Sequence, residues 1–144
     1  MAGPIAYPVD IVVDAAGFHL VTFPDLPEAG TDDATRAGAL REAVDCLEAV
    51  LANRIVDGKP IPKPSPACGR PVVAPSTRMA AKVVLYAAMR DQGVNAKGLS
   101  MRLGYEEDAV HRLLDPRLDT RLCDIEAALF ALGKRLFVEV RDAA

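Results

Sequence analysis

The residues best placed to do chemistry are Asp10, Asp14 and Asp25, which lie on or beside β-prone segments. Metal-dependent phosphodiester hydrolysis needs several carboxylates converging on divalent cations. Asp10 and Asp14 share one face of an alternating segment, and Asp25 sits in a proline-bounded turn. No carboxylate of the helical stretch that follows (Glu42, Asp45, Glu48) clearly converges with them. Solvated strand and turn carboxylates are the commoner state, so no catalytic residue is assigned, and a metal-dependent nuclease stays a distant alternative. His19, out of phase with Phe18 and Leu20, has no Cys, Ser or Asp pattern that would complete a triad, and reads as a surface or interface residue. His111 is a lone histidine and makes no metal site. Cys46, Cys68 and Cys123 are odd in number and far apart, which suits reduced thiols of a cytoplasmic protein rather than a disulfide or zinc site. There is no glycine-rich phosphate loop, and no cofactor or metal is expected.

Recognition chemistry is better marked. Ala96–Asp115, AKGLSMRLGYEEDAVHRLLD, reads as two short helices joined by a tight turn. Asn95 is placed to cap the first, because its side-chain oxygen can accept an orphan N–H of the opening turn. Gly104 supplies the turn, where a positive φ is easiest for glycine. Glu106, Glu107 and Asp108 suit the positive N-terminal end of the second helix. The stretch resembles the twenty-residue helix-turn-helix of phage-repressor-like regulators: the small fifth position is Ser100, the ninth is Gly104, and the apolar slots are Leu99, Leu103, Tyr105, Val110 and Leu113. That resemblance implies a second helix lying in the DNA major groove. Three carboxylates at its start would repel phosphates, although Glu107 could accept from cytosine N4. The remaining contacts then fall to Lys97, Arg102, His111, Arg112, Arg117 and Arg121. A helical hairpin without a DNA role is the competing reading.

These groups need a scaffold. The chain has 144 residues, enough for one domain or two small ones, and is 51% apolar but only 5% aromatic, with no tryptophan. That suits a helix-rich protein with an aliphatic core. No run of about 18 apolar residues is present, so no membrane span is expected, and MAGPIAYPVDIVV lacks the basic start of a signal peptide. The net charge of −3 divides unevenly: residues 1–77 carry six Lys/Arg against ten Asp/Glu, and residues 78–144 carry eleven against ten. The acidic half suits a basic protein partner more than nucleic acid.

In chain order, Ile5–Val13 alternates as a strand, with Pro8 marking an edge. Phe18–Phe23 is an antiparallel second strand, and Ala29–Thr31 a short third. Thr35 caps a helix whose stripe is Leu40, Ala43, Val44, Leu47, Val50, Leu51 and Ile55, ended by Asp57-Gly58. Lys59–Pro66 has four prolines in eight residues and must run extended, as a linker or a preformed recognition segment. Arg70–Ala74 is a fourth strand, and Pro75-Ser76-Thr77 a hinge, with Thr77 capping a helix over Met79–Arg90. After the helical pair comes a helix from Leu122 to Leu132, closed by Gly133. Leu136–Val140 alternates like a strand with no partner in its own domain, so it is expected to pair with a second subunit or offer an edge to a partner. The fold class is α+β: a β-β-β-α-β domain over 1–75, then an all-α domain over 76–144 ending in a strand.

The N-terminal order, with FPDLPEAGTDDAT entering the helix and GKPIPKPS leaving it, resembles the HicB family of antitoxins from type II toxin–antitoxin systems. The matching features are Phe23–Pro27, the Thr35 cap and Ile61–Ser65, with a helix-turn-helix tail behind them. The family's early helix glutamates are replaced by Ala37 and Gly38, which is expected to weaken the helix start by roughly 1 kcal/mol for glycine against alanine. The resemblance implies a partial ribonuclease-H-like domain without nuclease activity, bound to a small basic mRNA-cleaving toxin, HicA. It also implies a C-terminal domain that represses its own operon as a homodimer or higher oligomer. Candidate toxin contacts are Tyr7, His19, Phe23, Pro24, Asp25, Ile61 and Pro62, because exposed edges and preformed extended segments recruit partners readily. Tyr7 and Phe23 read equally as core, and Asp25 equally as a turn stabiliser. The alternative function is a stand-alone regulator whose N-terminal domain senses a small molecule.

Overall fold

The computed structural model describes Met1 and residues 3–142. The expected strand Ile5–Val13 is two strands. β1 (Tyr7–Pro8) pairs antiparallel with β5 (Val72–Val73), and β2 (Asp10–Val13) pairs with β3 (His19–Thr22), which pairs in turn with β4 (Gly30–Asp33). The break has a simple cause. The β2–β3 register sets Asp10 opposite Thr22, so its continuation would set Pro8 opposite Pro24, and neither proline has an N–H to donate. The chain instead turns its bonds to the other side, and Val9 N donates to Pro71 O. The third and fourth strands are also displaced or shorter than expected, at Gly30–Asp33 and Val72–Val73.

Helix α1 (Arg36–Val56) crosses the sheet. Ala39, Ala43, Leu47 and Leu51 recur every four residues and are fully buried against Tyr7, Val9, Val21, Phe23 and Leu26. Thr35 caps it, accepting from Gly38 N, while Asp33 accepts from both the N–H and the hydroxyl of Thr35. Gly38 is not a weakness in this arrangement. It is buried, and a Cβ there would lie 2.0 Å from Asp33 Oδ2. The aspartate fills the place a larger residue at 38 would take.

Helix α2 (Thr77–Gln92) is capped by Ser76 rather than Thr77, since Thr77 already has helical backbone and the Ser76 oxygen accepts from Met79 N. Met79 and Val83 face the N-terminal core; Ala81, Leu85, Ala88 and Met89 face a second core with Leu99, Val110, Leu113, Ile125 and Leu129. One helix thus serves both cores. That second core is built by α3 (Ala96–Leu103), α4 (Glu107–Leu114) and α5 (Leu122–Ala131). Asn95 caps α3 through Gly98 N, and Gly104 ends it with φ +70.

Leu136–Val140 forms no strand in the single chain. It runs unpaired past Gly133, with Leu136 partly packed and Phe137, Val138 and Val140 exposed. Alternation alone cannot make a strand without a neighbour to complete its ladder. No helix among the described residues is long and apolar enough to cross a membrane.

Candidate functional site

Two surfaces gather the groups with recognition potential. On the N-terminal domain, the proline segment 59–66 is fastened along its length. Arg54 grips Glu28 through two nitrogens and donates its third to Pro60 O at 2.7 Å. Tyr7 Oη donates to Pro62 O at 2.7 Å, and the N–H and hydroxyl of Ser65 both donate to the Asp25 carboxylate. Tyr86 and Arg90 of α2 hold the carbonyls of Lys59 and Gly58. The segment is therefore a strap, not a free linker. Burial pushes the Tyr7 phenol up to about 12, and the Arg54 guanidinium draws the Glu28 carboxyl below its ordinary range.

The structure brings Tyr7, Asp25 and Pro62 together at this strap. Tyr7 and Phe23 are 0% and 1% exposed, so they are core residues that can shape a docking surface only from beneath. Pro24 is exposed, and Ile61 and Pro62 are half-buried. His19 stands apart, four residues before Phe23 along β3. It is not a plain surface residue. It shares the inward face with Val21, paired across the ladders with Val13 and Asp33, and its Nδ1 is buried without a hydrogen-bond partner among the described residues. The phase of β3 is fixed by Val21 and Phe23 packing under α1, which turns His19 inward and Leu20 outward.

The outward face is the surface that sequence reasoning missed. Val12 sits opposite Leu20, both are exposed, and Phe18 beside them is exposed too. Asp10, Asp14 and Asp32 stand around them. Alternation in β2 and β3 carried the signal, but the helix-facing side had to be known first. Asp10, Asp14 and Asp25 do not converge as metal ligands would. Asp10 pairs with Arg70, Asp14 closes its own turn through Ala16 N and Phe18 N, and Asp25 holds Ser65. Among the described residues no group of three His, Cys, Asp or Glu could hold a metal ion.

On the C-terminal domain, α3 and α4 meet across Gly104, Tyr105 and Glu106, with Leu99, Val110 and Leu113 wedged inward. The exposed side of α4 carries Glu107, Asp108, His111 and Arg112, and His111 Nε2 lies 3.6 Å from Glu107. Lys97 is exposed at the start of α3, and Arg102 reaches Ala131 O. Beyond α4, Arg117 makes two side-chain bonds to Asp115, and Arg121 makes two to Asp124. The Arg117 bonds hold the Asp115 carboxyl down to about 2. Both guanidinium groups are largely exposed, while the carboxylates they meet are half-buried. A cleft of about 550 Å³ lies between the end of α1 and the end of α4, lined by Ile55, Val56, Met89, Arg90, Leu114 and Arg117 among others.

Comparison with known proteins adds independent findings. The model of the HicB_like antitoxin of bacterial toxin-antitoxin system family matches residues 6–87. Antitoxin HicB 2 of Photorhabdus laumondii is 35% identical over 136 residues, covering 94% of this chain and 96% of that protein. Antitoxin HicB 1 of the same organism is 31% identical, covering 93% and 86%. Antitoxin HicB of Escherichia coli K12 is 30% identical, covering 90% and 95%.

Proposed function

Because the chain belongs to the HicB-like antitoxin family of bacterial toxin–antitoxin systems, we propose that it binds and neutralises a small basic HicA-type ribonuclease and represses its own operon. Residues 1–75 hold the toxin, residues 76–144 bind operator DNA and self-associate, and the chain itself has no enzymatic activity. It acts in the cytoplasm, beside the DNA and mRNA concerned.

The observation that carries the toxin reading is the family match over 6–87, which spans the sheet, α1 and the strap. The exposed Val12, Phe18 and Leu20 patch with its surrounding aspartates offers an apolar, acidic surface suited to a basic partner. The strap and the Pro24–Pro27 turn border the same domain and give it a fixed edge. On the DNA side, support comes from the packing of α3 against α4, with Lys97, Arg102, His111, Arg112, Arg117 and Arg121 on or beside the pair. The exposed Phe137, Val138 and Val140 support pairing of Leu136–Val140 with the same segment of a second chain.

The experiment is a pair of binding assays on the full chain: co-purification with the product of the adjacent small reading frame, and gel shift with the DNA upstream of the operon. Leu20→Lys should lose the toxin and keep the DNA, and Arg112→Ala should weaken the DNA shift and keep the toxin. Co-purification unchanged by Leu20→Lys would remove the outer sheet face from the toxin site. Sizing with light scattering tests self-association, and a monomer at micromolar concentration would defeat it.

The cleft between α1 and α4 favours one second reading, a stand-alone regulator responding to a small molecule. An adjacent frame whose product neither binds this chain nor harms the cell would favour it.

A further inference from the structure

Helix α2 carries a lysine where the packing would suit leucine. Lys82 is 2% exposed. Its Nζ donates to Leu113 O and to Thr120 Oγ1, each at 2.5 Å. Leu113 lies in the last turn of α4, where carbonyls have no partner within the helix and a positive charge is favoured. Thr120 lies at the far end of the loop that leaves α4 and enters α5. The ammonium thus spans the loop at its root and closes it.

A buried ammonium is costly unless fully bonded, and burial does lower the pKa of Lys82, with Asp115 opposing and Arg78 reinforcing the shift. An aliphatic side chain would fill the position without that cost. What it would not do is fix Leu113 to Thr120. The loop so fixed, residues 115–121, bears Arg117 and Arg121, each laid against a carboxylate at its own end. Arg78 adds a further tie to Asp119 in the same loop.

We propose that Lys82 is a positioning residue for operator binding, which, by bridging Leu113 O and Thr120 Oγ1, presents Arg117 and Arg121 to the phosphates flanking α4. This rests on the reading of α3 and α4 as the operator-binding pair. Lys82 itself is too buried to touch DNA, so its effect must pass through the loop.

The test is operator titration of full-length Lys82→Met and Thr120→Val over a range of salt. Each phosphate contact contributes about 0.9 to the slope of log K against log salt. Losing two should lower the slope by about 1.8 and weaken binding by about tenfold or more at low salt. Toxin co-purification and helix content should stay as in the parent chain. Adding Lys82→Met to an Arg117→Ala/Arg121→Ala chain should lower the slope no further, because the residues act as one unit. If Lys82→Met fails to fold, Thr120→Val, which keeps the ammonium on Leu113, decides alone by the same slope. A folded variant that binds with the parent slope would overturn the proposal, even if its stability falls. A parent chain that does not shift the operator fragment would overturn the operator reading and this role with it.

Discussion

Gly38→Ala is expected to destabilise the chain, although helix propensity argues the other way. Alanine is favoured over glycine in a helix by at most about 1 kcal/mol, less in a first turn. The local geometry opposes this. Gly38 N donates to Thr35 Oγ1 at 3.0 Å, and Asp33 Oδ2 accepts from Thr35 N at 2.9 Å and from Thr35 Oγ1 at 3.0 Å. A methyl group on residue 38 would lie 2.0 Å from Asp33 Oδ2, 2.5 Å from Asp33 Cγ and 2.8 Å from Thr35 Oγ1. The carboxylate must swing away, and the hydroxyl it orients is lost as a cap. Losing a threonine N-cap costs about 1 kcal/mol, with a range of about 0.5–2. With residual crowding against Thr35 added, the net loss is about 1 kcal/mol. Urea unfolding of the full chain followed by circular dichroism measures it. Asp33→Ala supplies the control: in that background the two nearest clashes are gone and only the 2.8 Å contact with Thr35 Oγ1 remains, so Gly38→Ala should cost clearly less than in the parent. The Thr35 N–H and hydroxyl hold the Asp33 carboxyl below its ordinary 3.8. Its contribution is therefore full above that value and fades as pH falls through the lowered one, so the gap between parent and Gly38→Ala should narrow in acid. A higher urea midpoint for Gly38→Ala alone would refute the reasoning.

Tyr7→Phe removes the bond to Pro62 O and should cost about 1 kcal/mol while making residues 59–66 more susceptible to proteolysis, read by limited digestion. The phenol is neutral in the fold up to about 12, against 10.0 when unfolded. Its contribution is present below pH 10 and lost between 10 and 12, and Tyr7→Phe should flatten that alkaline decline. Asp115 has the opposite sign: held at about 2 by Arg117 against an ordinary 3.8, it stabilises above 3.8 and loses that effect as pH falls towards 2. Asp115→Asn should remove this part of the acid transition. Arg112→Ala should weaken operator binding and reduce the salt slope by about one; unchanged binding would take Arg112 off the DNA.

What could be read in the sequence was local chemistry. Thr35, Asn95 and Gly104 act at helix ends through contacts within four residues, so residue type and spacing suffice. The Ala43–Leu47–Leu51 stripe is equally local. What escaped depends on distant neighbours. The strand break at Pro8 needs the β3 register that brings Pro24 opposite. The inward turn of His19 follows from α1 covering Val21. Composition leaves 59–66 open as a linker or a recognition segment, because the anchors that make it a strap, Tyr7, Asp25, Arg54, Tyr86 and Arg90, lie on four separate parts of the chain. Lys82 falls within a helix of ordinary amphipathic appearance, and nothing local marks it as buried on both sides. Leu136–Val140 has the strand pattern but no ladder partner in one chain.

Growth of a bacterium expressing the adjacent small reading frame, alone and together with this chain, is the most direct measurement. An antitoxin predicts arrest by the small frame alone and restored growth with the full chain, with restoration lost for Leu20→Lys. A harmless small frame, or arrest that the full chain does not relieve, would contradict toxin neutralisation.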